Sequence, residues 1–412
     1  MKTFLILGAG TGGTMMANKL VKRLDPKEWK IILVDKDEVH YYQPGFLFLP
    51  FGYYKPEAVY KTKKQFVPAG VDFILSDIEM IEPEASQVKL TKNNEVIHYD
   101  QLLIATGTDI HPEEIDGMLD GWRKNIFDFY TFDGAMALRD FLKNFNSGRV
   151  VLNIKEMPIK CPVAPLEFLF LTDYYFTQRG IRNKVDLLLT TPLTGAFTKP
   201  VSSKLLGDVL QKKSIRTEAE FDVMEVDAAA NIIRGYDGRE FEYDLLISIP
   251  TNMGSNVIKR SGMGNELHFI PTNKETLRSE KYENVWVIGD ATNLPASKAG
   301  SVVHYSAEIL IENIMSALEG KPLTARFDGH STCHIISGFN KSLLIDFSYE
   351  VEPLPGMYPF PVVGPFPLLK ESWFNYLGKL SFKWIYWNIM LRGIPFPLPP
   401  EYSAAGKKQV TL

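Results

Sequence analysis

Short unbroken apolar runs recur along the chain, and between them apolar positions return every three or four residues. Phe4-Leu5-Ile6-Leu7 and Ile31-Ile32-Leu33-Val34 are two such runs. Runs this short, without polar alternation, mark strands buried on both faces, as in a parallel sheet. Residues 14–24 repeat with helical spacing, so residues 4–35 predict a βαβ unit. Residues 71–82 alternate like a strand, a hairpin follows through Asn93-Asn94, and residues 99–105 form a third buried run. Further helices are predicted over 132–145, 166–175 and 301–318, and further strands over 150–154, 184–189, 241–249 and 283–288. Tyr243-Asp244-Leu245-Leu246-Ile247-Ser248 echoes Tyr99-Asp100-Gln101-Leu102-Leu103-Ile104, which predicts two related halves. The expected fold class is α/β, with two Rossmann-like dinucleotide-binding domains plus a C-terminal aromatic region. Residues 1–110 and 269–330 would build the first domain, 111–268 the second, and 331–412 the aromatic region.

The first unit carries chemistry. Gly8-Ala9-Gly10-Thr11-Gly12-Gly13 supplies G-x-G-x-x-G at Gly8, Gly10 and Gly13, directly after a strand and opening a helix. Such a turn lets backbone approach a pyrophosphate. Asp35 ends the second strand, where an acid bonds a ribose hydroxyl. Lys36 and Pro44 follow on the carboxyl side of that strand, the side where ligands collect, and Ile78 in the strand over 71–82 is a further candidate for the cofactor. Ala105-Thr106-Gly107 is small enough for close approach to a cofactor. Asp290 in Gly289-Asp290 is placed for a ribityl chain. Lys298 and Gly300 lead into a helix whose N-terminus would face an electron-rich ring.

The second unit departs from this plan. In place of a glycine turn, residues 160–165 read Lys-Cys-Pro-Val-Ala-Pro. Pro162 and Pro165 suit a first helical turn, which puts Cys161 at or just before a helix N-terminus. Unpaired N–H groups there favour a thiolate and are expected to lower its pKa. The same residue types also suit a small buried cysteine.

Bulk properties narrow the class. A formal net charge of −4 in 412 residues gives no pointer to a nucleic-acid partner, and none is expected. The two cysteines, Cys161 and Cys333, make neither a stapled framework nor a close-spaced zinc site; a redox pair is the economical reading. Residues 3–7 run straight into the glycine motif and read as a strand, not a secretory segment.

The tail is the other informative stretch. Pro359, Pro361, Pro365 and Pro367 alternate with aromatic residues and predict an extended, rigid, apolar wall. Residues 372–392 predict a helix bearing Trp373, Tyr376, Trp384 and Trp387, interrupted by Lys379, Lys383 and Arg392. These cations argue against a spanning segment and for a helix in the headgroup layer, its lysines toward the headgroups. From Lys370 onward six Lys or Arg stand against Glu371 and Glu401, a local +4 that suits an anionic surface. An oligomer contact is the alternative use of such a face.

On Gly8, Gly10, Gly13, then Ala105-Thr106-Gly107, then Gly289-Asp290, the chain resembles the two-dinucleotide-domain flavoproteins over roughly residues 1–320. With Cys161-Pro162-Val163-Ala164-Pro165, Cys333 and the aromatic tail, it resembles sulfide:quinone oxidoreductase over essentially its whole length. That resemblance implies noncovalent FAD held by Gly8, Gly10, Gly13, Asp35, Lys36, Pro44, Ile78, Thr106, Gly107, Asp290, Lys298 and Gly300. It implies sulfide oxidation to polysulfide or sulfur, with Cys161 next to the flavin and Cys333 carrying a persulfide. Glu167 and His334 are the acid–base candidates, and Phe339, Phe360 and Phe366 the quinone-pocket candidates. Membrane binding is expected to be peripheral, through residues 372–394, and self-association is left open. Many relatives carry a third cysteine before the second domain; here Asn125-Ile126-Phe127-Asp128 has none, and Phe127 or Asp128 stands in its place. The alternatives are a sulfide dehydrogenase with a haem partner, an NADH:quinone reductase lacking the second glycine motif, and a flavin-bound sulfur carrier.

Overall fold

The computed structural model describes residues 1–361, 363–396 and 399–408. The chain opens with strand β1 (Lys2–Leu7), helix α1 (Thr11–Leu20), β2 (Trp29–Asp35), β3 (Val71–Leu75) and β4 (Gln101–Ile104). It continues through β5 (Ile126–Phe127), β6 (Gly148–Ile154), α2 (Ala164–Gln178), β7 (Val185–Thr190), β8 (Ile215–Glu218) and β9 (Leu245–Ile249). β10 (Val285–Val287) and α3 (Gly300–Leu318) follow. The C-terminal part adds β11 (Ser331–Gly338), β12 (Lys341–Phe347), β13 (Gly356–Phe360), β14 (Gly364–Leu368) and α4 (Trp373–Ile385).

Two parallel five-stranded sheets result. The first has the order β10-β4-β1-β2-β3, with Leu5 between Ile32 and Leu102. The second has the order β5-β9-β6-β7-β8, with Val151 between Leu188 and Leu246. The echoed segments therefore hold equivalent places: β4 lies beside β1 as β9 lies beside β6. Their apolar runs are uninterrupted because both sheet faces are covered, and Leu5, Ile6, Val151 and Leu152 are fully buried. An antiparallel pair, Thr108–His111 with Thr251–Gly254, joins the chain leaving the first sheet to the chain coming back.

Several expectations change in detail. The stretch 71–82 is two strands: Val71–Leu75 edges the first sheet, and Ile78–Glu82 turns antiparallel against Gln87–Leu90. The proline wall is a hairpin, with β13 and β14 antiparallel and Pro359 opposite Pro365. A two-stranded ribbon tolerates such prolines because its outer edges need no ladder donors. Helix α4 is capped by Ser372, whose hydroxyl accepts the Asn375 N–H, and it ends in one wider turn, Tyr386–Met390. Among the described residues no helix is long and apolar enough to cross a membrane.

Candidate active site

The turn before α2 is held from three sides. The Cys161 N–H donates to the Lys298 carbonyl, and the Ala164 N–H donates to the Cys161 carbonyl, both at 2.8 Å. The Tyr130 hydroxyl donates to the same carbonyl at 3.4 Å. So fixed, Cys161 keeps a left-handed φ of +46°, a conformation non-glycine residues rarely hold without such restraint. The bond to Lys298 also ties the cysteine to the segment that opens α3.

Cys333 enters from β11. Ser331, Cys333 and Ile335 are buried on that strand, and Cys333 and Ile335 belong to one apolar cluster with Leu166 and Leu169 of α2. Cys161 packs against the same cluster, and both sulfurs are free thiols. Burial first, then the Glu167 carboxylate, push the Cys161 thiol up to about 12, with Lys379 pulling the other way. Burial pushes the Cys333 thiol up to about 11. This overturns the expectation of a lowered Cys161 pKa. The helix starts three residues later, at Ala164, and a terminal dipole fades over that distance while desolvation does not.

Glu167, in the first turn of α2, is fully buried. Its Oε1 accepts the Ile336 N–H at 2.8 Å and the Lys379 ammonium at 2.6 Å, and its Oε2 has no partner. Lys379 also donates to the His334 carbonyl at 3.0 Å. Burial raises the Glu167 pKa, against the pull of Lys379. Burial alone would lower the Lys379 pKa, but Glu167 and the two sulfurs keep it above its ordinary value. Lys379 was expected among headgroups, yet it is the cation of the sulfur site. One signal for it lies in the sequence: an acid within an apolar helix has to find a partner once buried. Lys383 also turns inward, its ammonium 4.2 Å from the Tyr54 ring centre.

His334 does not join this site. It follows Cys333 in sequence, but strand alternation sends it to the opposite face, edge-on to Phe366 at 5.6 Å. Burial lowers its pKa to about 3, so it is a neutral packing group. In the region of the missing third cysteine, Phe127 is core and the buried Asp128 carboxylate pairs with Arg123 at 2.6 Å. Asp128 also accepts the N–H groups of Tyr130 and Thr131, and so presents Tyr130 to the Cys161 turn.

The nucleotide cradle fits a dinucleotide. Gly8 has φ +97°, and a Cβ there would lie 2.4 Å from the Ala105 carbonyl oxygen. A Cβ on Gly13 would lie 1.8 Å from the Gly8 carbonyl oxygen, which forces close helix–strand packing. Beside Gly10 and Gly107 the corresponding positions are open space. The Asp35 carboxylate closes the turn: it accepts the Ala9 N–H at 2.6 Å and pairs with Lys63 at 2.5 Å. The Thr106 hydroxyl is buried without a partner. Lys298 donates to the carbonyls of Asp290 and Thr292, and burial lowers its pKa to about 8. Pro44 and Ile78 are half-buried, and Lys36 is exposed.

The three expected quinone residues have different neighbours, and two of them, Phe360 and Phe366, sit on the β13–β14 hairpin. Phe339 stacks on Tyr174 at 5.0 Å, Phe366 meets His334, and Phe360 is exposed at the hairpin end. No aromatic pairing joins them among the described residues. Phe382 of α4 lies closer to the first unit, 3.4 Å from where a Gly300 Cβ would stand, at the start of α3.

Residues 2–151 match the family model of the pyridine nucleotide-disulphide oxidoreductases. The chain is 29% identical over 396 residues to a mitochondrial sulfide:quinone oxidoreductase of Dictyostelium discoideum, a match covering 94% of this chain and 86% of that protein. It is 27% identical over 397 residues to the mitochondrial enzyme of Mus musculus, with the same coverage. Its fold is similar to that of the sulfide:quinone oxidoreductase of Aquifex aeolicus, with a TM-score of 0.77 at 21% identity, covering 96% of this chain and 92% of that one. Two parallel-sheet units, a glycine cradle for a dinucleotide and a match along nearly the full length lead to one conclusion: the chain is an FAD-binding flavoprotein homologous to the sulfide:quinone oxidoreductases.

Proposed function

We propose that the chain oxidises sulfide at Cys161 and Cys333 and delivers the electrons to a quinone. The observation that carries this reading is the Glu167–Lys379 ion pair, buried within electrostatic reach of both sulfurs. A disulfide between the cysteines accepts HS⁻, giving Cys333 as a persulfide and Cys161 as a thiolate. Lys379 favours that thiolate electrostatically. Loss of two electrons and one proton then closes a bridge of three sulfurs. Bound FAD supplies a two-electron acceptor that a quinone can reoxidise. Glu167, with one oxygen unpartnered, is the proton-holding group, and Lys379 keeps its other oxygen in place. Gly8, Gly10, Gly13, Asp35, Thr106, Gly107 and Asp290 are assigned to the cofactor. For the quinone we favour contact with Phe382 over Phe339, Phe360 and Phe366, because Phe382 covers Gly300 and α4 carries it beside Lys379. Anaerobic sulfide is expected to bleach the flavin absorbance within seconds, and NADH to leave it unchanged. Bleaching by NADH alone would defeat this reading.

Membrane contact belongs to the outer face of α4. Trp373, Phe374, Leu377 and Trp384 are exposed there, and Phe360 and Val363 project from the neighbouring hairpin. Since Lys379 and Lys383 face inward, apolar insertion rather than charge carries the contact. Changing Trp373 and Trp384 together to serine is expected to weaken liposome binding by at least about tenfold, the burial of large aromatic side chains being lost. Neutral and anionic liposomes are expected to differ little. Undiminished pelleting of the double variant would make this face an oligomer contact.

A further inference from the structure

The end of the C-terminal helix reaches the glycine turn. The Tyr386 hydroxyl lies 2.8 Å from Thr11 Oγ1 and 2.7 Å from His40 Nε2. Thr11 is the residue between Gly10 and Gly12, at the first position of α1, where backbone N–H groups point at a bound pyrophosphate. Tyr386 and His40 are both at least 97% buried, and His40 Nδ1 has no protein partner. The surroundings fix the tyrosine firmly. Tyr42 packs against its ring at 5.0 Å, and the next residue, Trp387, stacks on Phe66 at 5.2 Å. Asn18 of α1 donates to the Leu391 carbonyl at 3.0 Å, so the segment after Tyr386 is pinned to the helix that the glycine turn opens.

We propose that Tyr386 is a positioning residue for FAD: its hydroxyl, shared between Thr11 and His40, holds the glycine turn in its cofactor-binding shape. The helix whose outer face carries Trp373 and Trp384 thereby also sets how firmly the cofactor is retained. The physical basis is preorganisation. A turn already held in the bound geometry loses less freedom on binding and opens less often for release. His40 serves as a neutral partner, because burial lowers its pKa to about 4. The inference rests on FAD binding and is independent of which donor reduces the flavin.

The test uses the full-length holoprotein, diluted to low concentration, with released FAD read by its fluorescence. Tyr386→Phe removes one hydroxyl and is expected to speed release by about tenfold, the order set by one or two buried hydrogen bonds. Thr11→Val is expected to speed release by no more than Tyr386→Phe does, and the two changes together to do no more than Tyr386→Phe alone, because that variant has already lost the bond to Thr11. Thr11→Ser keeps the hydroxyl and is expected to release FAD at the original rate. Asn388→Ala, on the exposed side of the same turn, is the control for general loosening of the helix and is expected to change nothing. Release from Tyr386→Phe at the original rate would overturn the proposal. So would acceleration by Thr11→Ser or Asn388→Ala equal to that by Tyr386→Phe, since the effect would then be one of packing.

Discussion

Serine at Cys161 or at Cys333 is expected to abolish bleaching of the flavin by sulfide while leaving the FAD spectrum intact. The exchange step needs a sulfur to be attacked and a sulfur to leave, and a hydroxyl does neither near neutral pH. The drop in the reduction rate, followed by anaerobic stopped flow, should reach about three orders of magnitude or more, as for loss of a nucleophile in other enzymes. FAD should stay because the cradle is built from Gly8, Gly13, Asp35 and Gly107, none of which touches either sulfur. Serine also preserves the hydrogen bonds that hold the turn at Cys161, since all three use its backbone. The reduced protein offers a second reading of the same site. With the thiols raised to about 12 and about 11, little thiolate exists at pH 8. Alkylation should be slow there and quicken with each unit of pH. A serine variant reduced by sulfide at the original rate would remove the cysteine pair from the mechanism.

Lys379→Met is expected to be the most destabilising single change in the site, by about 3–5 kcal/mol, because it strands a buried carboxylate. The Glu167 pKa is already raised by burial, and loss of the cation raises it further. The pH dependence follows from that sign. A carboxyl whose folded pKa lies above its unfolded value binds more protons when folded, so its contribution to stability falls as pH rises through the folded value. The variant should therefore lose less at pH 5 than at pH 8. Thermal unfolding at the two pH values measures this. Adding Glu167→Gln should restore most of the stability, since a neutral amide needs no cation, but not the rate of reduction by sulfide. The rate falls because Lys379 opposes the rise of both thiol pKa values. An equal deficit at pH 5 and pH 8 would mean that Glu167 is not the charge left behind. Truncation before Ser372 would take away Lys379 from the proposed sulfur site and Tyr386 and Trp387 from the core of the first unit, and is expected to abolish reduction by sulfide.

The sequence by itself determined the elements whose cause is local. Unbroken apolar runs read as buried strands, the motif at Gly8, Gly10 and Gly13 as a dinucleotide turn, and the echo at residues 99–104 and 243–248 as equivalent strands in two sheets. Each of these depends on steric or burial demands confined to a few neighbouring residues. Cys161 and Cys333 could be singled out as the candidate pair because the chain holds no other cysteines. Only the tertiary structure decided which way the tail helix turns. Trp373, Leu377 and Trp384 lie on one side of it and Tyr376, Tyr386 and Trp387 on the other, so apolar periodicity marks both faces alike. The buried Glu167, on a helix some two hundred residues earlier, selects the side that holds Lys379. His334 was misread for a related reason: adjacency to Cys333 suggests contact, while strand alternation separates them. The direction of the Cys161 pKa was likewise beyond the sequence. A helix start is a local feature, but desolvation depends on how deeply the whole fold covers the sulfur, and here it outweighs the dipole.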